Sequence, residues 1–180
     1  MGWEEYAFAS ALLQAEGLSE YAANYRRRMF SSAAAAFWSY NDAWPVTHSW
    51  TIVDYYLRRK ISYYGVKRAL APVKLALRRS GDSVTLFAAN DTQEDVEVNI
   101  SVGVYPLDGS APDVVCARYT LASRMRGPLA TFALPQYDPA RAVFAASSDS
   151  EAIDPAVLRV LDVRDMAIPA PKLAVRRLEG

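Results

Sequence analysis

The sequence of 180 residues is poor in cysteine and histidine, the residues that most often build metal centres. A single cysteine, Cys116, excludes an internal disulfide and a cysteine-rich zinc site, and a single histidine, His48, excludes a histidine-rich cluster. We therefore expect no metal and no other cofactor. His48 could act as a general acid or base, but it stands alone without a partner and is expected to be a loop histidine. Cys116 lies in a predicted strand and is expected to be buried.

The chain also lacks an excess of charge of either sign and a long apolar run. Twenty basic and twenty acidic residues cancel, which argues against a nucleic-acid partner. No apolar run is long enough to cross a bilayer, so we expect no membrane partner. The N-terminus lacks the pattern of a signal peptide, which favours a cytoplasmic location if the natural protein starts at Met1. Hydrophobic residues make up 52% of the chain, which is typical of a folded protein.

Residues 37–45, Phe-Trp-Ser-Tyr-Asn-Asp-Ala-Trp-Pro, are the most distinctive stretch. They predict a buried parallel strand that ends in the polar residues Asn41 and Asp42, because Pro45 cannot continue a hydrogen-bonded ladder. In an α/β barrel the chemistry lies at the carboxyl ends of the strands. The alanine run at 33–36 favours a helix by propensity, and periodicity alone does not distinguish a helix there from a loop that leads into the strand.

The first thirty residues predict two helices. Apolar spacing indicates a helix over residues 3–14, which Gly17 would end, and a second helix over residues 21–29, which Ser19 would cap. Three arginines at 26–28 fall in the last turn, where positive charge suits the helix dipole. They could form an anion site, but a solvated helix end is the expected structure.

The sequence pattern changes at Pro72. A helix predicted over residues 58–70 stops there, and short alternating strands separated by turns then predict an immunoglobulin-like β-sandwich. Strands are expected within residues 73–77, 84–88, 96–104, 114–121, 129–134 and 142–146, with weaker candidates at 157–163 and 173–175.

The predicted fold class is therefore α+β. Residues 1–72 would be an incomplete (β/α)8-barrel segment, made of helices and the last barrel strand, and residues 73–180 would be the immunoglobulin-like antiparallel β-sandwich. One parallel strand cannot make a sheet, so the barrel segment would leave apolar faces without a partner and would tend to self-associate.

Several motifs in the first half resemble one enzyme family. Residues 38–45, residues 49–55 (Ser-Trp-Thr-Ile-Val-Asp-Tyr), Lys60, Tyr64 and residues 67–72 resemble the end of the catalytic barrel in glycoside hydrolase family 2, in its β-mannosidase-like branch. Leu13 to Glu16 and Tyr25 to Arg27 resemble the helices before that strand, and the Asn90-Asp91-Thr92 turn resembles the first hairpin of the following immunoglobulin-like domain. The resemblance covers the first half well and the second half by pattern only.

The resemblance implies a retaining glycosidase, in which two Glu residues lie about 5 Å apart across one sugar. It places both on barrel strands that precede this chain, and the four glutamates of the predicted helices (Glu4, Glu5, Glu16 and Glu20) match no catalytic motif. We therefore expect the C-terminal part of a β-mannosidase-like enzyme, with no catalytic residue and no activity by itself. The alanine run replaces the family's usual small residue and glycine, so the local match is imperfect.

Three residues are the candidate substrate-binding residues. The resemblance implies that Trp38 lines the sugar pocket, and a core tryptophan is the alternative. Asn41 and Asp42 could hydrogen-bond sugar hydroxyls or hold the following loop, and for Asp42 we favour the loop. Trp44 and Trp50 are expected to pack that loop, and rimming the sugar site is the alternative.

Two further expectations concern packing. Asp54 and Lys60 are predicted to form a contact that positions the last helix. Four tyrosines are predicted to form a core or interface cluster, namely Tyr55, Tyr56, Tyr63 and Tyr64.

Two other functions remain open at this point. A non-catalytic carbohydrate-binding or interaction module would need an exposed aromatic platform on the sandwich. The aromatics there fall in phase with apolar neighbours, which favours a core instead. A truncated reading frame with no independent role is the other alternative.

Overall fold

The computed structural model describes residues 2–28, 31–32 and 34–170. Two helices come first, α1 (Trp3–Arg27) and α2 (Ile61–Ala69). Seven strands follow: β1 (Val73–Ser80), β2 (Ser83–Asn90), β3 (Val96–Pro106), β4 (Asp113–Leu121), β5 (Arg126–Ala133), β6 (Ala142–Ser148) and β7 (Ala156–Leu158). A short 3-10 helix spans Val163–Asp165. Within the described ranges, neither α-helix has the length and apolar character that crossing a bilayer requires.

α1 runs unbroken where a break was predicted. Gly17 lies inside it, and the Ser19 hydroxyl donates to the Ala15 carbonyl, one turn back, at 2.6 Å instead of capping a new helix. The prediction of two helices over residues 3–29 was therefore wrong. A single glycine costs a helix only about 1 kcal/mol, and the packing of Ala15 and Ala22 against the rest of the molecule offsets that cost.

α1 and α2 pack closely because small residues face each other. Ser62, Gly65, Val66 and Ala69 are the buried residues of α2. A Cβ atom at Gly65 would lie 2.7 Å from the Ser19 hydroxyl oxygen and 3.0 Å from the Ala15 carbonyl oxygen. The distance between the two helices therefore depends on the absence of a side chain at Gly65. The predicted helix over residues 58–70 is confirmed, with shorter ends.

Residues 37–45 do not form the predicted buried strand. Asn41 makes one parallel bridge, to Val53, and Trp38 is 80% exposed. A parallel strand needs neighbours on both sides, and the described residues supply only this one. The incomplete barrel segment is thus not confirmed as an element of this fold, and Trp38 is not a core tryptophan of this chain.

The strands form two antiparallel sheets, in the orders β1-β2-β5 and β4-β3-β6-β7. Their inner faces share one core, as expected of a β-sandwich. The largest core side chains are almost completely buried, each with less than 2% of its surface exposed: Phe144, Leu75, Leu86, Ile100, Leu121 and Val84. The six stronger strand predictions are confirmed, because alternation of apolar residues matches one buried face.

The end of the sandwich differs from the sequence-based expectation. The candidate strand at 157–163 is reduced to the three residues of β7, and the candidate at 173–175 lies outside the described residues. Cys116, predicted to be buried, is exposed on β4, an edge strand with only β3 beside it. The prediction was wrong because apolar residues occur on both faces of β4, whereas only one face of the strand packs against the core.

One buried polar residue fixes the turn after β2. Asn90 is completely buried, and its Nδ2 donates to the carbonyls of Glu94 and Leu121, both at 2.8 Å, and of Ala122 at 3.2 Å. Its Oδ1 accepts from the Thr92 backbone and hydroxyl. The predicted turn at residues 90–92 is confirmed, and it joins β2 to the end of β4.

The arginines at the end of α1 connect the helices to the sandwich. Arg26 donates to the carbonyls of Ala69 and Ala71 at 2.8 and 2.7 Å, and it pairs with Asp91 at 2.8 Å. Asp91 also pairs with Arg126. The Arg26 and Arg27 side chains are only 13% and 8% exposed, so the prediction of a solvated helix end was wrong. The carbonyls at the end of α2 lack intrahelical donors, and Arg26 supplies them.

Candidate functional site

An open cleft of about 370 Å³ lies beside the single parallel bridge. Three tryptophans line it, and their side chains are strongly exposed: Trp38 by 80%, Trp44 by 66% and Trp50 by 67%. We call it the tryptophan cleft. The other lining residues are Ser39, Asn41, Asp42, Ala43, Val46, His48, Ser49 and Thr51. The peptide bond between Trp38 and Ser39 is cis.

A short set of backbone hydrogen bonds builds the floor of the cleft. The Tyr40 carbonyl accepts from the amides of Ile52 at 3.1 Å and Val53 at 2.9 Å, and the Asp42 amide donates to the Val53 carbonyl at 3.2 Å. The Lys60 amide donates to the Ile52 carbonyl at 3.0 Å, which brings the start of α2 to the same place. Residues 40–42, 51–53 and 60 therefore meet although they are far apart in sequence.

Four side chains form a hydrogen-bonded group under the cleft, which we call the Asp42–Lys60 network. Thr51 Oγ1 donates to Asp42 Oδ1 at 2.9 Å, and Lys60 Nζ lies 3.4 Å from Asp42 Oδ2. Lys60 Nζ also donates to Ser49 Oγ and Thr51 Oγ1, both at 2.7 Å, and the two hydroxyl oxygens lie 2.9 Å apart. Each member thus has at least two partners, which holds the loop that carries Trp44 and Trp50.

Asp42 is held in its ionised form. Burial of the carboxyl acts to raise its pKa, but hydrogen bonding to the Ser49 and Thr51 hydroxyls and the positive charge of Lys60 together outweigh burial, so the pKa is lowered. Both carboxylate oxygens are engaged with protein groups. Asp42 is therefore arranged to position the loop rather than to donate a proton or attack a sugar.

A helix contact also supports the cleft. Gln14 Nε2 on α1 donates to the Trp50 carbonyl at 2.8 Å. Because α1 is packed on α2 and held to the sandwich by Arg26, the wall that carries Trp50 is connected through α1 to both α2 and the sandwich.

The three predicted site residues lie together in this cleft. Trp38 and Asn41 line it with exposed side chains, and Asp42 lies below them with 9% of its surface exposed. The Asn41 amide nitrogen donates to the Asp42 carbonyl at 3.2 Å. Trp44 and Trp50, expected to pack the loop, instead present their rings to the cleft.

The predicted contact between Asp54 and Lys60 was wrong. Asp54 instead pairs with Arg58 at 2.6 Å and accepts from the Arg58 amide at 2.9 Å within one turn, while Lys60 pairs with Asp42. Sequence reasoning also missed Ser49 and Thr51. Their spacing of two places both hydroxyls on the same side of an extended segment, and this was the available signal.

The exposed aromatic side chains of the described residues all lie before residue 65. On the sandwich, Phe87 and Phe144 are buried, and Tyr119, Phe132 and Tyr137 pack against the core. The platform that a sandwich-based carbohydrate-binding module would need is therefore not present on the described strands.

The four tyrosines that were predicted to cluster form two neighbouring pairs. The ring centroids of Tyr55 and Tyr56 are 5.3 Å apart, and those of Tyr63 and Tyr64 are 5.4 Å apart.

Comparison with known proteins gives one consistent result. The chain is 40% identical to beta-mannosidase B of Thermothelomyces thermophilus over 81 residues, which is 42% of this chain and 9% of that protein. Its structure matches β-D-mannosidase from Dictyoglomus thermophilum with a TM-score of 0.84 and 26% identity, over 92% of this chain and 21% of that one. An exo-chitosanase from Amycolatopsis orientalis shares the fold, with a TM-score of 0.52 and 20% identity over 84% of this chain and 19% of that one. No family model matches the chain.

These matches relate the chain to the glycoside hydrolases. More narrowly, the relationship is to the β-mannosidases of glycoside hydrolase family 2, over part of their length. The aligned part of the chain therefore spans about a tenth of the length of beta-mannosidase B (9%) and about a fifth of the solved β-mannosidase (21%).

Proposed function

We propose that this chain is the C-terminal part of a retaining exo-β-glycosidase of the β-mannosidase type and that the tryptophan cleft is one wall of its sugar site. In this proposal residues 1–72 end the catalytic barrel and residues 73–180 are the immunoglobulin-like domain that follows it. The observation that carries the proposal is the cleft itself, where exposed indole rings surround a pre-organised polar floor. Aromatic faces above a few fixed polar groups suit a sugar ring, which has both apolar faces and hydroxyl edges.

Within the cleft we assign one role to each candidate. Trp38 has the most exposed of the three indoles and stacks on the apolar face of the sugar. Asn41 hydrogen-bonds a sugar hydroxyl through its exposed amide. Asp42 acts through the loop, because Thr51 and Lys60 already occupy its two carboxylate oxygens.

The catalytic glutamates are proposed to lie outside this chain. A retaining glycosidase needs two carboxyl groups about 5 Å apart at the sugar. Asp42 is the only acidic residue among those that line the tryptophan cleft, and its carboxylate is engaged by Thr51 and Lys60. Glu4, Glu5, Glu16 and Glu20 all lie on α1, and none of them lines the cleft.

A chimera tests this proposal. Residues 2–170 of this chain would replace the matching fifth of the Dictyoglomus thermophilum β-mannosidase, and a folded chimera is expected to hydrolyse a chromogenic β-mannoside. Trp38→Ala in the chimera should lower kcat/KM by about fivefold to thirtyfold, as expected for the loss of about 1–2 kcal/mol of stacking and desolvation at the sugar. Trp3→Ala, which removes an exposed indole that does not line the cleft, is the matched control and should leave kcat/KM unchanged. Equal losses in both variants would contradict the assignment of the cleft.

A further inference from the structure

A second cleft lies where the helices meet the sandwich, and it does not touch the tryptophan cleft. Its volume is about 280 Å³, and α1, α2, β1 and the segment around β7 line it. We call it the junction cleft. Its lining carries four cationic side chains, Arg27, Arg68, Lys74 and Arg159, and two carboxylates, Glu16 and Glu20.

The two carboxylates of the junction cleft are already paired. Glu20 accepts from Arg27 at 2.5 Å, and Glu16 pairs with Arg159 at 2.8 Å. Within the described part of the chain, Arg68 and Lys74 have no carboxylate within 4.0 Å. The cleft therefore has two positive charges that its own carboxylates do not balance, in a chain whose net charge is zero.

The surroundings of Lys74 make this imbalance costly. Burial lowers the pKa of Lys74, Asp154 acts in the opposite direction, and the nearby Arg68 and Arg26 lower it further. Arg27 adds a guanidinium that is only 8% exposed, and its Nε has no hydrogen-bond acceptor among the described residues. Cationic donors that are partly dehydrated and mutually repelling gain most from a bound anion.

We propose that the junction cleft binds a small tetrahedral oxyanion, such as phosphate or a phosphate ester, with Lys74 and Arg68 as its main ligands. Lys74 belongs to β1 and Arg68 to α2, while Arg27 belongs to α1, so a bound anion would join both helices to the sandwich. The site is independent of the sugar site: residues of α1, α2, β1 and the segment around β7 line the junction cleft, whereas only residues between 38 and 51 line the tryptophan cleft.

Titration calorimetry of the 180-residue chain with inorganic phosphate tests the site, with sodium chloride keeping the ionic strength constant. Saturable binding with one site per chain is expected. Lys74→Met should weaken the affinity by about tenfold, the size expected for one charged hydrogen bond. Arg68→Met is the second variant, since its exposed side chain can be removed without disturbing the fold. Arg141→Met is the matched control, because Arg141 is 81% exposed and lies outside the cleft.

Methyl phosphate, titrated in parallel, distinguishes a site for the free ion from one that accepts a phosphate ester. Saturable binding of either ligand supports the proposal, and the ligand with the higher affinity indicates which form the site prefers. Circular dichroism confirms that each variant is folded before it is titrated. The proposal is overturned if the unaltered chain gives no saturable heat, or if folded Arg68→Met and Arg141→Met bind phosphate equally well.

Discussion

At the scale of single residues, the chain depends on a few polar side chains whose hydrogen bonds are complete. The Asp42–Lys60 network and the buried Asn90 are the two best examples. Each joins segments that are distant in sequence. Removing one of these residues would leave its polar partners without hydrogen bonds, and that loss is how each residue contributes to the fold.

The Asp42–Lys60 network predicts how stability changes with pH. Because the pKa of Asp42 is lowered in the folded chain, the unfolded chain binds more protons between the two pKa values, and stability rises with pH there. The stabilisation is complete above the unfolded pKa of about 4 and is lost as the pH falls through the lower folded value. We expect the melting temperature of the chain to exceed that of Asp42→Asn near pH 7 and the difference to shrink below about pH 4.

Melting curves of both proteins from pH 2 to pH 8, followed by circular dichroism, measure this difference. Asp54, Asp108 and Asp149 also have lowered pKa values, but both proteins retain them, so their effect cancels. A difference that stays constant over the whole range would show that folding does not lower the pKa of Asp42.

Asn90 predicts a large cost of truncation. Asn90→Ala leaves the carbonyls of Glu94, Leu121 and Ala122 without their donor, and we expect the free energy of unfolding to fall by about 2–4 kcal/mol. Denaturation with urea measures it. Asn99→Ala is the control, since Asn99 makes an exposed pair with Asp149 and should cost less than about 1 kcal/mol. Equal costs would mean that the hydrogen bonds of Asn90 add little.

At the scale of elements, the contact between α1 and α2 depends on Gly65. A methyl group there would meet Ser19 and the Ala15 carbonyl, so Gly65→Ala should lower the free energy of unfolding by about 1–3 kcal/mol. Gly17→Ala is the matched control, because nothing lies within 4 Å of its added Cβ and alanine favours the helix, so the variant should be more stable by up to about 1 kcal/mol. Urea denaturation of the two variants gives both values, and a stabilised Gly65→Ala would contradict the close contact.

The elements also show how far sequence could predict this fold. Six strands followed from the alternation of apolar residues, because a two-residue period is a local property that one buried face imposes. The break at Gly17 was wrong because packing against α2 outweighs the intrinsic preference of glycine. The strand at 37–45 was wrong for a different reason, since a parallel strand is defined by neighbours that no local pattern reveals.

The candidate site was predictable in part. The tryptophan and the Asn-Asp pair could be identified as a distinctive string, and they do lie together in one cleft. The partners of Asp42 were predictable only in part. The spacing of Ser49 and Thr51 places both hydroxyls on one side of the segment, but their meeting with Asp42 depends on backbone contacts between residues 40–42 and 51–53 that no local pattern reveals.

At the scale of the whole molecule, the aromatic and apolar exposure is uneven. The sandwich covers its core, whereas the helical half exposes Trp3, Tyr6, Phe8 and Leu13 along α1 and Tyr55, Tyr56 and Leu57 in the loop before α2. An exposed apolar surface of this kind normally marks a contact with another surface.

We therefore predict that the isolated chain binds a fluorescent dye for apolar surfaces and associates with itself as its concentration rises. Analytical ultracentrifugation measures the association, and Leu13→Glu, which places a charge on the exposed face of α1, should reduce both signals. A chain that stays monomeric and binds no dye would contradict the proposal that this half continues a larger barrel.

We have proposed that the chain supplies a sugar-binding wall without the acids that cleave the sugar. Turnover of 4-nitrophenyl β-D-mannoside by the purified, folded chain tests it most directly. We expect the chain to release no more nitrophenolate than a buffer blank. Sustained release that Asp42→Asn abolishes would contradict this proposal, because it would place a working catalytic carboxylate within these residues.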